Sequence, residues 1–258
     1  MNPAALALYC LAAEGVGPIE MAPGIAPALP GWIAADHALV GWITGQDALL
    51  QGWLNLDSRR VFYGWVIAGA DGVTAIIRGT QSFAEWTIDA AFLPRAEHPV
   101  QGEVESGFWS LYCTLEFRDT AGADHPLCAG VKTAAGRLGA AVTVTGHSLG
   151  AALATYAALE LRARGCFIAS PHPGNGDFAK GFAARVTDYE SYAYAEDLVP
   201  KLPVALGYEP LPKLTVIPSN SRVKNTIACC HHAGTYAWLL GGALAPQAAT
   251  CVTPGDPR

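Results

Sequence analysis

The sequence predicts an α/β fold with a mostly parallel central sheet and helices on both faces. In the second half of the chain, short β-branched or apolar runs alternate with longer helical patterns, as is typical of parallel strands joined by helices. Hydrophobic residues make up 51% of the chain and charged residues only 15%, which suits a large buried core. No repeat or linker divides the 258 residues, so we expect a single domain spanning 1–258.

The N-terminal part of the chain is expected to contain two helices separated by an irregular segment. Residues 3–13 are apolar and predict a helix that packs on the core. No Lys or Arg precedes this helix and Glu14 follows it, which argues against a secretory signal. We therefore expect either a cytoplasmic protein or the mature form of a secreted one. Residues 15–35 are rich in Gly and Pro and predict irregular structure, and residues 36–50 predict a helix with Asp36 as N-cap.

The later elements follow from local patterns of apolar residues. Residues 62–68 and 73–78 predict two strands, and Asp71-Gly72 between them predicts a hairpin turn. Helices are expected over much of 107–117 and over 127–138 and 151–164. The buried strands expected in the parallel part of the sheet are 141–145, 166–169, 191–195 and 214–217.

Composition excludes several classes of function. The formal charge of −6 gives no attraction to phosphate backbones, so we expect no nucleic-acid partner. The apolar part of the longest uncharged stretch, residues 236–245, is too short for a transmembrane segment. The seven cysteines contain no C-x-x-C pair and favour buried free thiols, with one bridge involving Cys251 as the alternative. No ligand cluster with metal spacing appears, and we expect no metal or other cofactor.

Residues 146–150, Gly-His-Ser-Leu-Gly, match the pattern G-x-S-x-G. A pattern this short also arises by chance, but here a β-branched run precedes it and an alanine-rich helix follows it. That context predicts a strand–turn–helix elbow with Ser148 at a helix N-terminus, where backbone N–H groups stabilise an oxyanion. Ser148 is therefore the predicted nucleophile, and His147 is expected to point away from it in a packing or hydrogen-bonding role.

A serine nucleophile needs a general base and an acid, and in a fold with this type of elbow the chain order is Ser, acid, His. The histidines that follow Ser148 are His172, His231 and His232. His172 precedes any suitable acid, so the base is one of the doublet. The strand predicted at 191–195 runs into Glu196 and Asp197, and either carboxylate suits the acid role. Asp197 directly precedes an apolar segment closed by proline, which would hold it still.

Several segments together resemble one known family over about residues 60–240. These are 75–80 (Ala-Ile-Ile-Arg-Gly-Thr), Glu85-Trp86 with Asp89, 145–154 around the elbow, 197–203 (Asp-Leu-Val-Pro-Lys-Leu-Pro), and His231 with Tyr236. They resemble the fungal-type class 3 lipases, a branch of the α/β-hydrolases. The spacing to Tyr236 favours His231 over His232, as a histidine that opens the last helix. Residues 169–175 depart from the family's G-S-P-R-V-G-N, with Ala169, His172 and Pro173 at the changed positions, so we expect this loop to persist with altered packing.

The resemblance implies a role for each matching residue. Ser148 would attack the ester carbonyl, His231 would act as general base, and Asp197 would orient the imidazole. The oxyanion hole would consist of the backbone N–H groups of Thr80 and Leu149, with the Thr80 hydroxyl as a further donor.

The resemblance also implies a lid at about 81–100. Within that segment, Phe83, Phe92 and Leu93 are candidates for contact with the acyl chain, whereas Trp86 and Asp89 fit a structural pattern. The expected function is a lipase acting on acylglycerols or other medium-to-long acyl esters, with transient contact to a lipid interface. The alternatives are a short-chain or feruloyl-type aryl esterase, a phospholipase A1, or, in a different class, a catalytically silent binding protein.

Overall fold

The computed structural model describes residues 2–21, 26–46, 60–79, 95–97, 101–203 and 207–253. The strands are β1 (Ala38–Gln46), β2 (Arg60–Gly69), β3 (Gly72–Ile77), β4 (Arg95–Glu97), β5 (Glu103–Glu105), β6 (Glu116–Asp119), β7 (Asp124–Pro126), β8 (Val142–His147), β9 (Arg164–Ile168), β10 (Gly174–Asn175), β11 (Tyr189–Tyr194), β12 (Tyr208–Glu209) and β13 (Leu214–Ile217). The helices are α1 (Pro3–Val16), α2 (Gly31–Ala34), α3 (Ser106–Tyr112), α4 (Leu127–Leu138), α5 (Leu149–Leu161), α6 (Gly176–Arg185), α7 (Ile227–Cys230) and α8 (Ala233–Leu239). Two 3₁₀ turns cover Val199–Lys201 and Pro246–Ala248.

Over these residues the main sheet has nine strands in the order β13-β11-β9-β8-β3-β2-β1-β6-β7. Strands β3, β8, β9, β11 and β13 are parallel to one another. Strands β2, β1, β6 and β7 extend the sheet by antiparallel pairing from β3. A smaller sheet contains β12, β10, β5 and β4. The carboxyl ends of the parallel strands share one edge, which is where sites form in such sheets.

Two hydrophobic cores lie on opposite faces of the main sheet. Along β3, Ala75 and Ile77 belong to one core and Ile76 to the other, as the two-residue period of a strand requires. Helices α3, α4 and α5 bury their apolar residues in the first core, and α1 and α8 bury theirs in the second. The predicted architecture, a sheet covered by helices on both faces, is therefore confirmed.

The helix predicted over residues 36–50 is wrong for its described part, because β1 occupies Ala38–Gln46. The strand pairs with β2 on one side and β6 on the other, and its residues Trp42, Ile43 and Thr44 are buried. A Cβ at Gly41 would collide with Phe117 and with a backbone carbonyl of β6, so glycine permits this close pairing. Asp36 lies in the turn before the strand and caps no helix.

Most other predicted elements are confirmed. The N-terminal helix, the β2–β3 hairpin and α4 lie where the patterns indicated, as do the four strands of the parallel half. Helix α3 is shorter than predicted, since the chain turns after Tyr112 and re-enters the sheet as β6. Helix α5 begins at Leu149, directly after the predicted nucleophile.

The cysteines form one disulfide bridge, Cys229–Cys251. The prediction of free thiols is therefore wrong for this pair, and the alternative with a bridge at Cys251 is correct. Of the free thiols, Cys113 is exposed rather than buried, and the buried ones are Cys10, Cys128, Cys166 and Cys230. The bridge ties α7 to the segment that follows α8, close to the predicted base.

Part of the predicted site lies outside the described residues. This holds for the oxyanion residue Thr80 and for Phe83, Trp86, Asp89, Phe92 and Leu93. Of the expected lid at 81–100, the structure describes only the backbone of β4, so the lid and the single-domain organisation stay predictions. No helix within the described ranges is both long and apolar enough to cross a membrane.

Candidate active site

Ser148 lies on a tight turn between β8 and α5. Its backbone has φ 59° and ψ −131°, a conformation that costs energy for a residue with a side chain. A Cβ at Gly146 would collide with the backbone of Gly150, and a Cβ at Gly150 would collide with the carbonyl of Ile77. The two glycines of the motif are therefore required by the close approach of β3, β8 and α5. The turn directs the Ser148 hydroxyl towards the carboxyl end of the sheet.

The structure brings the three predicted catalytic side chains into one hydrogen-bonded chain. The Nε2 atom of His231 lies 2.8 Å from the Ser148 hydroxyl oxygen. The Nδ1 atom of the same ring lies 2.8 Å from an Asp197 carboxylate oxygen, Oδ2. All three residues are buried, at 1% exposure for Ser148 and Asp197 and 6% for His231. This arrangement suits proton transfer from a serine to an imidazole oriented by a carboxylate.

Both oxygens of the Asp197 carboxylate accept hydrogen bonds that fix its direction. Oδ1 accepts from the backbone N–H of Val199 at 3.0 Å, and Oδ2 accepts from the Tyr236 hydroxyl at 2.7 Å. The Tyr236 oxygen itself accepts from the backbone N–H of Tyr194 at the end of β11. Burial raises the pKa of Tyr236 well above its ordinary value and the charge of Asp197 raises it further, so this hydroxyl stays a donor. The Asp197 carboxylate is thus anchored to both its own loop and α8.

The sequence left two choices open, Glu196 or Asp197 and His231 or His232, and in the structure the members of each pair make different contacts. Glu196 bonds to the Ser219 hydroxyl, whereas its neighbour Asp197 bonds to His231. His232 is the N-cap of α8, and its Nδ1 atom accepts from the backbone N–H of Gly234 at 3.1 Å. His231 precedes that cap, so the expectation that it opens the last helix is wrong by one residue. The two histidines therefore have different roles in the structure: His232 caps α8, and His231 contacts Ser148.

The surroundings of His231 favour its neutral form. Burial lowers the pKa of His231, the nearby Asp197 carboxylate opposes this effect, and the neighbouring His147 lowers the pKa further. A general base must be neutral to accept a proton, so this environment suits the role.

His147 lies against the ring of His231 rather than away from the site. The two ring centroids are 4.7 Å apart with a 35° angle between the planes. On its other side, His147 Nδ1 lies 2.8 Å from a carboxylate oxygen of Glu14 near the end of α1. Sequence reasoning assigned no site role to Glu14, because it lies 133 positions before its partner and no local pattern connects the two.

The strand end that leads to Thr80 is held tightly against the elbow. The guanidinium of buried Arg78 donates to the carbonyls of Phe62 and Gly79. A Cβ at Gly79 would lie 2.7 Å from the His147 carbonyl oxygen and 3.1 Å from the Ser148 Cβ atom, so glycine permits this contact. The other predicted oxyanion residue, Leu149, is the first residue of the 13-residue helix α5, where backbone N–H groups have no partner within the helix.

The loop that departs from the family pattern is held against the segment that follows Asp197. Ala169 takes a left-handed backbone with φ 53° at the position where the family has glycine. The His172 backbone N–H donates to the Leu202 carbonyl at 2.7 Å, and its ring nitrogen Nδ1 lies 3.2 Å from the Pro203 carbonyl oxygen. Residue 172 therefore connects this loop to the segment that follows Asp197.

A cavity of about 1020 Å³ opens beside His231. Apolar residues of α1, α7 and the C-terminal segment form most of its wall, among them Leu8, Leu11 and Leu244. Trp32 and Ile227 line it while remaining 52% and 41% exposed. A pocket of this size and composition suits an apolar ligand that lies against His231. Sequence reasoning placed acyl contacts on residues 83, 92 and 93 and did not anticipate this wall.

Comparison with known families identifies the chain. The family described as Lipase (class 3) matches residues 74–207, which is more than half of the 258 residues and includes the elbow and the acid loop. The chain belongs to the class 3 lipase family. Its fold is accordingly that of the α/β-hydrolases.

Relatives of this class 3 lipase include fungal enzymes. A secreted mono- and diacylglycerol lipase A, from Penicillium cyclopium and from Penicillium camembertii, is 33% identical over 144 residues, covering 53% of this chain and 45% of that protein. The native Rhizomucor miehei lipase propeptide complex has a TM-score of 0.60 at 20% identity, covering 84% of this chain and 68% of that one. A triacylglycerol lipase described as having a serine protease triad at its catalytic centre has a TM-score of 0.51 at 26% identity, covering 61% and 62%. The chain thus spans less than half the length of the curated relatives it matches.

Proposed function

We propose that this class 3 lipase hydrolyses carboxylic esters with Ser148 as nucleophile, His231 as base and Asp197 as the orienting acid. The observation that carries the proposal is the continuous chain of hydrogen bonds through these three buried side chains. A silent binding protein on the same scaffold would need neither this geometry nor a strained serine at the elbow.

The reaction proceeds through an acyl-enzyme. His231 Nε2 takes the Ser148 proton while the serine oxygen bonds to the ester carbonyl carbon, giving a tetrahedral oxyanion. The backbone N–H groups of Leu149 and Thr80 hold that oxyanion, with the Thr80 hydroxyl as a further donor, and losing one such donor costs about 3 kcal/mol. The imidazolium, stabilised by Asp197, protonates the leaving alcohol as the carbon–oxygen bond breaks. In the second half of the reaction, His231 takes a proton from water while the water oxygen bonds to the acyl carbon. His231 then returns a proton to Ser148 as the acyl–serine bond breaks and the carboxylic acid leaves.

The proposed substrates are acylglycerols or other esters with medium-to-long acyl chains. The apolar cavity beside His231 supports this substrate class, because it offers room for a hydrocarbon chain within reach of the triad. The relatives point the same way, since they are described as lipases of mono- and diacylglycerols or of triacylglycerols. In this proposal Phe83, Phe92 and Leu93 complete the acyl-binding surface.

The proposal includes contact with a lipid surface and an extracellular location. Trp32 and Ile227 are exposed and border the cavity, so they can enter a lipid surface when the lid at 81–100 opens. The Cys229–Cys251 bridge favours an oxidising compartment. Secretion is also part of the description of the Penicillium relatives. The proposed form is thus a secreted enzyme that meets its substrate at an interface.

The first experiment tests the chemistry. A fluorophosphonate should label the wild-type protein and fail to label Ser148→Ala, which should also lose turnover of p-nitrophenyl esters to near background. Circular dichroism should show both proteins folded, since the alanine side chain is smaller than the serine it replaces. Labelling of Ser148→Ala at the wild-type level would place the nucleophile elsewhere.

The second experiment tests the substrate class with p-nitrophenyl esters of rising chain length and an emulsified triglyceride. We expect activity to rise with chain length and on emulsification. Leu11→Trp, which fills the cavity, should reduce long-chain activity more than acetate activity, while Leu138→Trp at the exposed end of α4 should change neither. Exclusive turnover of acetate or feruloyl esters would assign the chain to the esterases, and exclusive turnover of phospholipids would assign it to phospholipase A1.

A further inference from the structure

The proposed reaction leaves unused two titratable side chains that lie next to the base. Glu14 and His147 form a largely buried pair, with side-chain exposures of 14% and 4%. Burying a charged pair is costly, and replacing such pairs by apolar residues is often neutral or stabilising. The position of this pair beside the triad therefore calls for a role other than stability.

The pair forms a second chain of contacts that reaches His231, separate from the hydrogen bond to Asp197. Glu14 is fixed on α1, which packs against α8 and β8. His147 is the last residue of β8, so its backbone cannot move without moving Ser148. Its ring lies against the ring of His231 at 4.7 Å and approaches Tyr236 edge-on at 5.9 Å. His231, which lies on the short connection between α7 and α8, is thereby packed against a ring that cannot easily move.

The pair also carries charge. Burial lowers the pKa of His147, but the Glu14 carboxylate and the hydrogen bond to it outweigh this effect and raise it. Burial raises the pKa of Glu14, but His147 outweighs this effect and lowers it. Each member of the pair therefore favours the charged form of the other. The Gly79 Cα lies beside the same carboxylate, since a Cβ there would be 2.9 Å from Glu14 Oε1.

Other titratable groups around His231 come from each element packed on it. Asp197 follows β11 and opposes the effect of His147, Tyr236 of α8 is a neutral donor, and His232 lies at the start of α8. The His147 charge acts on His231 more strongly than the Glu14 charge does, because it is nearer. The pair as a whole therefore lowers the pKa of His231.

We propose that Glu14 and His147 are positioning residues which hold the His231 imidazole against one face and favour its neutral form. Glu14 keeps His147 charged and correctly rotated, and His147 transmits both effects to the base. The pair thereby extends ester hydrolysis to mildly acidic pH, where an isolated histidine with a pKa near 6.5 would be protonated. Its importance for activity rests on the proposed function, but its effect on His231 does not.

The direct test is the titration of His231 by NMR of the imidazole nitrogens, assigned by comparison with His231→Ala. In His147→Asn the asparagine amide can still donate to Glu14, but the ring and its charge are gone. We expect the midpoint of His231 to rise by about one pH unit. The matched control is His125→Asn, which breaks an exposed His–Asp contact on β7 at the far edge of the sheet and should leave the midpoint unchanged.

The double variant Glu14→Gln, His147→Asn leaves no unpaired buried charge and covers the case in which His147→Asn does not fold. Its His231 midpoint should also rise, but by less, because both charges of the pair are removed. The acid limb of kcat/KM should move to higher pH by the same amounts with little change in KM. An unchanged or lower midpoint in the folded variants would overturn the proposal and reduce the pair to packing. If the wild-type protein showed no esterase activity, the proposed function would be refuted, but the pKa of His231 could still be measured by this titration.

Discussion

Ser148 and His231 meet at 2.8 Å, yet the chain holds them in opposite ways. Ser148 is fixed by its own neighbours, since a buried strand ends one residue before it and a 13-residue helix begins one residue after it. His231 lies between helices of four and seven residues, and its place depends on partners far away in sequence. Those partners are Asp197, His147 and, through the adjacent bridge, Cys251.

This difference predicts how the position of each residue should respond to substitutions. A locally held group should tolerate changes elsewhere in the fold but fail when its own turn is altered. A group held by long-range contacts should respond to substitutions at many distant sites, each with a smaller effect. The predictions below test this contrast, from the largest expected effect on activity to the smallest.

The largest effect is expected from the histidine doublet. His231→Ala should reduce kcat by about 10⁴-fold or more, because Ser148 loses its base. His232→Ala should leave kcat within a few-fold and cost about 1 kcal/mol of stability, because only the cap on α8 is lost. Ester kinetics and thermal melts of both variants provide the measurement. The reverse result, with His232→Ala inactive and His231→Ala active, would assign the base to His232.

The acid is expected to show the next largest effect. Asp197→Asn should lower kcat by about 10⁴-fold, since the amide presents the wrong hydrogen-bonding group to His231 Nδ1. Glu196→Gln serves as the control, because its side chain bonds to Ser219 rather than to the base, and it should retain most activity. Steady-state kinetics at neutral pH distinguish the two. If Glu196→Gln were the inactive variant, the hydrogen-bonded chain seen here would not be the working one.

The elbow itself should fail when its glycine packing is disturbed. In Gly150→Ala the new methyl group meets backbone atoms of Ile77 and Arg78, so α5 and Ser148 must shift. A misplacement of the reacting atoms by about 1 Å costs about 10²-fold in rate. Gly136→Ala in α4 is the matched control, because open space surrounds that position and alanine favours a helix. Equal activity of the two variants would show that the elbow is less tightly determined than its backbone suggests.

The same contrast explains which parts of the fold were predictable from sequence. The hairpin, α4 and the β8–α5 unit follow from turn residues and apolar periods within short windows, and they lie where predicted. Strand β1 was missed because its residues 38–46 resemble a helical pattern taken alone. Pairing with β2 and β6 decides its conformation, and those partners begin 14 and 70 residues after Gln46 in the chain, as the bounds Arg60 and Glu116 show.

The candidate site shows the same division. The motif around Ser148 and the acid loop could be recognised from short patterns, and Tyr236 favoured the histidine of the doublet that contacts Ser148. The contact between Glu14 and His147 could not, because it joins α1 to β8 across the second core. The wall formed by Leu8 and Leu11 of α1 and Trp32 of α2 was also unforeseen, since apolar residues of a helix carry no sign of what they face.

The smallest effect on activity is expected from the bridge, which holds the His231 connection from outside. Removing it in Cys229→Ser, Cys251→Ser frees a loop closed over 22 residues and should cost about 3 kcal/mol of unfolding free energy. At low temperature Asp197 and His147 still hold the ring, so kcat should fall only a few-fold. Urea unfolding and ester kinetics measure the two quantities, with Cys113→Ser at an exposed free thiol as the control that should change neither. A loss of activity as large as that of His231→Ala, in a variant still folded by circular dichroism, would mean that the bridge rather than the triad contacts places the base. His231 would then be held mainly by a nearby covalent bond. Long-range contacts would no longer distinguish its placement from that of Ser148.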